Sequence, residues 1–280
     1  LARVRADRDQ LRAGFAAAVE AGQIRAHFQP QLSTDTGQVS GLEALARWHH
    51  PDRGCLAPAA FLPALEGTDL MPRLAQEMLS QSLAVMVALD RAGLRVPTVA
   101  VNLSPQDLRD PHLPERLAWA LDGHGLAPAR LTVEVLETVV AGVPDDIIAR
   151  NIARIAALGC GVDLDDFGTG NASITTLRHF SARRLKIDRS FVRGVDHLRD
   201  QQRMVTAILS LADQLGLETL GEGVETQAEH AMLAQLGCGH VQGYGIAHPM
   251  PFDDLSPWLL QHAARLARAT RLVLRAGQGG

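Results

Sequence analysis

The sequence predicts an α/β protein, a TIM-like (β/α)8 barrel with an antiparallel first strand. Eight short apolar runs have the length of β-strands, and helix-length segments rich in Ala, Leu and Ile separate most of them. Alternating strands and helices joined by short loops indicate parallel strands. The first two runs, 24–32 and 39–48, have no helix between them. We therefore expect these two strands to form an antiparallel hairpin.

The elements divide the chain into three parts. Residues 1–22 show apolar residues at helical spacing, so we expect an N-terminal helix that connects to an upstream domain. Residues 23–262 form the predicted barrel, and 263–280 a C-terminal helix with a mobile tail. The remaining predicted strands are 98–103, 131–136, 161–165, 184–187, 218–220 and 240–244. A Pro/Gly-rich loop is expected at 50–63, and helices at 63–93, 145–158, 174–181 and 203–215.

Composition limits the possible partners. The 280 residues include 31 acidic and 27 basic side chains, which give a formal net charge of −4. This balance argues against a polymeric nucleic-acid partner, which requires a basic surface. A small phosphate substrate remains compatible, because bound divalent cations reverse the local charge.

Cysteine usage and hydropathy predict a cytoplasmic protein. Cys55, Cys160 and Cys238 are far apart and form no CxxC pair, so we expect free, mostly buried thiols in a reducing compartment. No apolar stretch in this chain approaches membrane-spanning length, and we expect neither a membrane span nor a signal peptide. The first residue is not Met, and we hypothesise that the chain is a piece of a longer protein.

Polar residues end seven of the eight predicted strands. In a barrel the ends of parallel strands meet at one rim, where active sites are built. Carboxylates gathered there repel one another unless cations lie between them. The pattern therefore predicts metal-assisted chemistry on an anionic substrate. The residues are Glu43, Asn102, Glu134, Asp165 with Asp166, Lys186, Glu222 and Gln242.

The sequence DLDDFGTG at 163–170 places two adjacent carboxylates where a strand becomes a Gly-rich loop. Adjacent side chains of a regular strand point to opposite faces. Asp165 and Asp166 reach one site only if the strand ends there and the glycines permit a sharp turn. Asp165 is then the natural bridge between two divalent ions.

Each of these residues also has a simpler explanation. Asp beside Gly usually marks a turn, and taken alone this explanation is the better one for Asp165 and Asp166. Asn102 suits a helix cap, and Lys186 suits a surface position. These explanations do not account for the placement of such residues on successive strands, which favours a site.

Eight motifs in order resemble the EAL domain, the bacterial cyclic di-GMP phosphodiesterase. The resemblance runs from about residue 10 to 260. The Glu-Ala-Leu motif alone would not identify a family, but eight motifs in order are specific. They are QP at 29–30, EAL at 43–45, VNLS at 101–104, VEVLE at 133–137, DDFGTG at 165–170, LKIDRSFV at 185–192, GEGVET at 221–226 and QGY at 242–244.

The resemblance implies two Mg²⁺ or Mn²⁺ ions and hydrolysis of cyclic di-GMP to linear pGpG. It implies one metal held by Glu43, Asn102, Glu134 and Asp165, and a second held by Asp165, Asp166 and Glu222. Hard oxygen ligands suit these cations. Lys186 would orient or help deprotonate the attacking water, Glu222 would also act in catalysis, and Glu137 would anchor the loop after Asp166. Substrate contacts would come from Gln29, Arg47 and Gln242.

The resemblance also implies a homodimer and an upstream sensor or GGDEF-type domain in the full-length protein. We interpret His49 and His50 as loop residues and not as metal ligands.

Two positions depart from the family pattern. The family has Tyr-Ser-Ser where this chain has Asn171-Ala172-Ser173, which predicts lowered or partner-dependent activity. Asp163 stands where the family has a small or apolar residue. It should face the barrel interior with Asp165 and pair with Lys186.

Two other functions remain open. The first is a weak or inactive EAL domain that acts as a cyclic di-GMP receptor or protein-interaction module. The second is an unrelated metal-dependent barrel hydrolase, which would make the ordered motifs a coincidence. The complete metal set favours the active enzyme.

Overall fold

The protein is a closed eight-stranded barrel surrounded by helices, and the computed structural model describes residues 2–141, 146–170 and 180–277. β1 pairs antiparallel with β2 and β9, and the strands from β2 through β4 to β9 pair in parallel. The predicted barrel with an antiparallel first strand is confirmed. The strands are β1 (Ile24–Ser33), β2 (Val39–His50), β3 (Gly54–Leu56), β4 (Val99–Asn102), β5 (Leu131–Leu136), β6 (Gly161–Phe167), β7 (Arg184–Ile187), β8 (Glu218–Gly221) and β9 (His240–Val241).

Helices follow most of the parallel strands. They are α1 (Ala2–Glu20), α2 (Pro58–Leu65), α3 (Leu70–Arg91), α4 (Pro105–Leu108), α5 (Leu113–His124), α6 (Glu137–Ala141), α7 (Asp146–Leu158), α8 (Arg189–Val192), α9 (Arg199–Leu215), α10 (Gln227–Leu236) and α11 (Phe252–Gly277). Across the ranges given above, none of these helices combines the length and the apolar character that crossing a bilayer demands.

The hydrophobic core lies between the strands and the helices. Alternate strand residues such as Val133, Val162 and Leu185 are at most 1% exposed and belong to one apolar cluster with the inner faces of the helices. The intervening strand residues point into the barrel, because successive side chains face opposite sides. Many of these inward residues are polar, so the barrel interior holds a buried polar network instead of an apolar core.

The N-terminal helix packs on the β1–β2 hairpin. Phe15 of α1, Trp48 of β2 and Phe61 of α2 are fully buried, with ring centroids 5.5–6.3 Å apart. Aromatic contacts of this kind stabilise a fold beyond their buried area. The predicted helix at residues 1–22 therefore contributes to the folded domain.

Some predicted boundaries differ from the structure. The predicted loop at 50–63 contains β3 and most of α2, and the predicted helix to residue 93 is α3, which begins at Leu70. β2 extends to His50 because it pairs with β3 beyond the barrel, so His49 and His50 are strand residues and not loop residues. The boundary expected between residues 262 and 263 lies inside α11. Most of the helix expected at 174–181 lies outside the described residues.

Candidate functional site

Lys186 is the centre of the polar interior. Its side chain is fully buried, and its Nζ lies 2.9 Å from Glu134 Oε1, 2.9 Å from Asp165 Oδ1, 2.8 Å from Glu222 Oε1 and 3.6 Å from Glu43 Oε2. These carboxylates come from β2, β5, β6 and the end of β8. The strand ends that we predicted to converge therefore do so around one ammonium group.

The position of Glu43 differs from the prediction in its detail. It is not at the end of its strand, since β2 continues for seven residues. It reaches the rim because β2 runs parallel to β4 and pairs Glu43 with Ala100, two residues before the end of β4 at Asn102. Asn102 Nδ2 then donates to Glu43 Oε1 at 3.1 Å.

Charge and burial give these carboxyl groups different pKa values. Burial raises the pKa of Glu43, but the Lys186 ammonium and hydrogen bonds from Gln242 and Asn102 outweigh it and hold the pKa below its ordinary value. Burial and the neighbouring Glu43 raise the pKa of Glu134 well above its ordinary value. Burial, which the nearby Lys186 only partly offsets, raises the pKa of Glu222 to about 8. The pocket is thus short of positive charge.

Burial lowers the pKa of Lys186, but Asp165, Glu134, Glu222 and Glu43 overcome this and raise it well above the ordinary value of lysine. The side chain is therefore held as an ammonium ion. An amine that keeps its proton is suited to donate hydrogen bonds and is poorly suited to accept a proton.

The end of β6 brings both aspartates to the same place. The pairing between β6 and β7 is irregular between Leu164 and Phe167, and Asp166 has a φ of 53°, in the left-handed region. This conformation is uncommon outside glycine and turns the chain within the strand. Carboxylate oxygens of Asp165, Asp166 and Glu222 consequently lie within 4.8 Å of one another.

The loop after Asp166 is tied to Glu137. Glu137 Oε2 accepts hydrogen bonds from the backbone N–H groups of Gly168, at 2.8 Å, and Gly170, at 3.0 Å. Gly168 has a φ of +100°, and a Cβ there would overlap the ring of Phe191. Glu137 is 3% exposed. The loop contact that the resemblance implied for Glu137 is present, and the departure at Asn171-Ala172-Ser173 lies outside the described residues.

These residues fit two divalent cations. The cluster has five carboxyl groups and one ammonium group; with all five carboxyl groups ionised its charge is four negative, which two divalent cations would neutralise. Glu134 Oε1 lies 2.9 Å from Lys186 Nζ, and within the described part of the chain no hydrogen-bond donor reaches the buried Glu134 Oε2. Buried carboxylates without such partners are costly, and a hard cation would satisfy them.

Two of the three expected substrate contacts already have protein partners. Gln242 Nε2 donates to Glu43 Oε2 at 2.6 Å and to Gln29 Oε1 at 3.0 Å, which uses both of its hydrogens. Gln29 Nε2 donates to the carbonyl of Ala247 at 2.9 Å. A substrate contact by Gln242 therefore requires exchange of one of these bonds.

Arg47 is the third expected contact. It is half-buried on β2, four residues beyond Glu43 on the same face of the strand. Its Nη1 donates to the carbonyl of Ala46.

The expected partner of Asp163 is corrected by the structure. Asp163 does face the interior and is 1% exposed, but Arg184 Nε, not Lys186, donates to its Oδ2 at 2.8 Å. β6 and β7 pair Asp163 with Arg184 directly, whereas Lys186 is two residues further along. Burial raises the pKa of Asp163 although the Arg184 guanidinium opposes this.

The sequence predictions missed Arg184 and Gln31, two buried residues that form hydrogen bonds inside the barrel and connect to the site residue Gln242. Arg184 donates to Gln31 Oε1 at 2.9 Å, and Gln31 Nε2 donates to Gln242 Oε1 at 2.9 Å. Arg184 precedes the predicted site residue Lys186 by two positions, and Gln31 follows the predicted site residue Gln29 by two positions. The two-residue period of a strand could therefore have identified them.

The comparisons with known proteins agree with this geometry. The family model described as the EAL domain matches residues 12–249. The chain is 35% identical over 238 residues to the bifunctional diguanylate cyclase/cyclic di-GMP phosphodiesterase MucR of Pseudomonas aeruginosa, covering 85% of this chain and 35% of MucR. It is 34% identical over 230 residues to the cyclic di-GMP phosphodiesterase RocR of Pseudomonas aeruginosa, covering 82% of this chain and 58% of RocR.

A solved structure, the PaMucR phosphodiesterase in complex with c-di-GMP, superposes with a TM-score of 0.83 at 35% identity and covers 88% of this chain and 99% of that one. The chain spans about a third of MucR and more than half of RocR. The match to the family model covers most of the barrel and the carboxylates around Lys186. The chain belongs to the EAL domain family.

Proposed function

We propose that this protein is a metal-dependent phosphodiesterase that hydrolyses cyclic di-GMP to linear pGpG. The observation that carries the proposal is the group of four carboxylates from separate strands around the buried Lys186. Membership in the EAL domain family and the named activities of MucR and RocR support the substrate.

The metal ligands that we propose follow the two groups of oxygen donors. One cation would be held by Glu43, Asn102, Glu134 and Asp165, and the other by Asp165, Asp166 and Glu222. The cations, Mg²⁺ or Mn²⁺, would neutralise the phosphodiester and lower the pKa of a bound water. The oxygen donors suit these ions better than they suit Zn²⁺.

Lys186 orients the attacking water in this proposal. Its raised pKa keeps the amine protonated, so it donates to the water and opposes the negative charge that develops on the phosphate. Glu222 is assigned a catalytic role beside Lys186, because its Oε1 lies 2.8 Å from Lys186 Nζ and its carboxylate lies beside those of Asp165 and Asp166. Glu137 acts by holding the loop that follows Asp166.

Substrate binding is assigned to Arg47, Gln29 and Gln242. A guanidinium group at the rim binds a phosphate well, since it offers several donors in a fixed plane. In this proposal Gln29 and Gln242 act near the phosphate and the guanine. The protein would function as a cytoplasmic homodimer, with a sensor or GGDEF-type domain upstream in the full-length protein.

The test is incubation of the purified protein with cyclic di-GMP and Mn²⁺ or Mg²⁺, followed by chromatography of pGpG. We expect product that depends on the metal and disappears in Asp165→Ala. The matched control is Asp213→Ala, which removes a carboxylate from α9 and should leave turnover unchanged. Absence of pGpG from the unaltered protein with both metals would contradict the proposal.

The second candidate function is a cyclic di-GMP receptor without hydrolysis. The departure at Asn171-Ala172-Ser173 favours it. Calorimetric binding of cyclic di-GMP without product would identify the receptor, and Asn171→Tyr would then be expected to raise turnover.

A further inference from the structure

A second group of metal-ligating side chains lies outside the carboxylate site. His27 on β1, His49 on β2 and Cys55 on β3 place two imidazole nitrogens and one sulfur within 4.8 Å of one another. β2 and β3 pair His49 directly with Cys55. His49 and Cys55 are exposed and His27 is half-buried, so solvent reaches the group.

The separation of the imidazoles matches the geometry of a tetrahedral metal site. His27 Nε2 lies 3.4 Å from His49 Nε2. Two Zn–N bonds of about 2.0–2.1 Å at a tetrahedral angle separate the nitrogens by about 3.4 Å. A hydrogen bond between two imidazoles is the other explanation, but this distance is at the outer limit for such a bond.

The surroundings of His27 orient its ring for metal binding. Its Nδ1 lies 3.4 Å from the carbonyl oxygen of Pro249, and its Nε2 is the nitrogen that faces His49. The backbone at this point is held by reciprocal hydrogen bonds between Phe28 and Met250, at 2.7 and 3.0 Å. Metal-binding histidines commonly have such a partner on the second ring nitrogen.

We propose that His27, His49 and Cys55 bind a soft divalent cation such as Zn²⁺, with a fourth position open to water. Two imidazoles and a thiolate prefer Zn²⁺ to Mg²⁺ or Mn²⁺. The proposal gives His49 and Cys55 a role that the sequence did not predict.

The site is distinct from the carboxylate centre. Along β2, His49 is six residues from Glu43, about 20 Å, whereas His27 on β1 is two residues from Gln29, which pairs with Glu43. No ligand is shared by the two groups. The proposal therefore stands independently of the phosphodiesterase function.

The experiment is a titration of the tag-free, metal-free protein with Co²⁺, followed by absorption spectroscopy. Cobalt bound to a thiolate gives a ligand-to-metal charge-transfer band that oxygen ligands do not give. We expect this band, one Co²⁺ per chain at the site, and its loss when Zn²⁺ is added. Cys55→Ser should abolish the band, and His49→Ala and His27→Ala should each weaken binding at least tenfold.

Four control variants make the result specific. Asp165→Ala should keep the band, because the carboxylate centre has no thiol. His112→Ala, which removes an exposed histidine elsewhere, should also keep it. Cys160→Ser and Cys238→Ser remove the buried thiols and should have no effect. Circular dichroism establishes that each variant is folded, and the exposed positions 49 and 55 suffice if His27→Ala does not fold.

The proposal is overturned if the unaltered protein shows no charge-transfer band, or if the band persists in Cys55→Ser. Equal Co²⁺ affinity in His49→Ala and the unaltered protein also overturns it. In that case the two imidazoles form only a hydrogen bond.

Discussion

The Glu222 carboxyl group links proton binding to cation binding. Its pKa is raised to about 8 by burial, against an ordinary value of 4.5. Because its folded-state pKa exceeds the unfolded value, the metal-free protein loses stability as the pH rises from about 4.5 through about 8. A cation requires the ionised carboxylate, so its binding releases a proton below this pKa.

We therefore expect the affinity for Mn²⁺ to increase as the pH rises towards about 8. Calorimetry in two buffers of different ionisation enthalpy measures the protons released. Glu222→Gln should release fewer protons at pH 7 than the unaltered protein does. Equal proton release by the two proteins would show that another group carries the linkage.

Asp163 and Arg184 form a buried ion pair below the site. Both side chains are at most 6% exposed, and Arg184 also donates to Gln31. Removing one charge of a buried pair leaves the other uncompensated, which costs about 3–5 kcal/mol, whereas replacing both by apolar residues is often nearly neutral.

Arg184→Met is therefore expected to lower the free energy of unfolding by about 3–5 kcal/mol. The double variant Asp163→Leu/Arg184→Met should recover most of this loss, as measured by urea unfolding. Additive losses in the double variant would mean that the pair is not coupled. The exposed pair of Arg203 and Asp200 on α9 is a control, and Arg203→Met should change stability little.

At the scale of elements, the loop after β6 depends on α6. Glu137, the first residue of α6, accepts hydrogen bonds from two backbone groups of the loop. Hydrogen bonds to a charged group contribute about 1.5–3 kcal/mol each. The helix thus fixes the strained turn that carries Asp166.

Glu137→Ala should free this loop and lower turnover of cyclic di-GMP by at least tenfold, because Asp166 is no longer held. Hydrogen exchange should show loss of protection at the amides of Gly168 and Gly170. Glu229→Ala is a matched control, since Glu229 accepts hydrogen bonds from the backbone N–H groups of Glu225 and Thr226 in the loop after β8 and of Gly194 after α8. In Glu229→Ala, the exchange protection of the amides of Gly168 and Gly170 should be unchanged. Loss of that protection in this control would indicate general destabilisation.

Elements that depend on local sequence periodicity were predictable. The strands β4 to β8 follow short apolar runs whose alternate residues are core residues. β3 was missed because a three-residue strand has no periodicity of its own and forms only by pairing with the extension of β2. The sequence prediction ended β6 two residues too early. Asp166 adopts a left-handed conformation that cannot be predicted from its residue type.

At the scale of the molecule, the carboxylate centre opposes folding unless cations neutralise it. The charges converge from strands spread over the whole chain, so separating them by unfolding relieves their repulsion. A ligand that binds only the folded state stabilises it by about 2.7 kcal/mol at one hundred times its dissociation constant.

Saturating Mn²⁺ should therefore raise the midpoint of thermal unfolding by on the order of 5 °C. The shift should be much smaller in Asp165→Ala, which loses the residue proposed to bridge both ions. An equal shift in the two proteins would place the stabilising ion elsewhere.

The sequence by itself determined the barrel class, the residues that end its strands and the family. These properties depend on local alternation and on the ordered motifs, both of which are properties of short segments. Only the tertiary structure decided which side chains meet: the partner of Asp163, the four carboxylates around Lys186 and the group of His27, His49 and Cys55. The reason is that such contacts depend on strand register and barrel closure, as where Gln31 meets Gln242 across 211 positions of sequence.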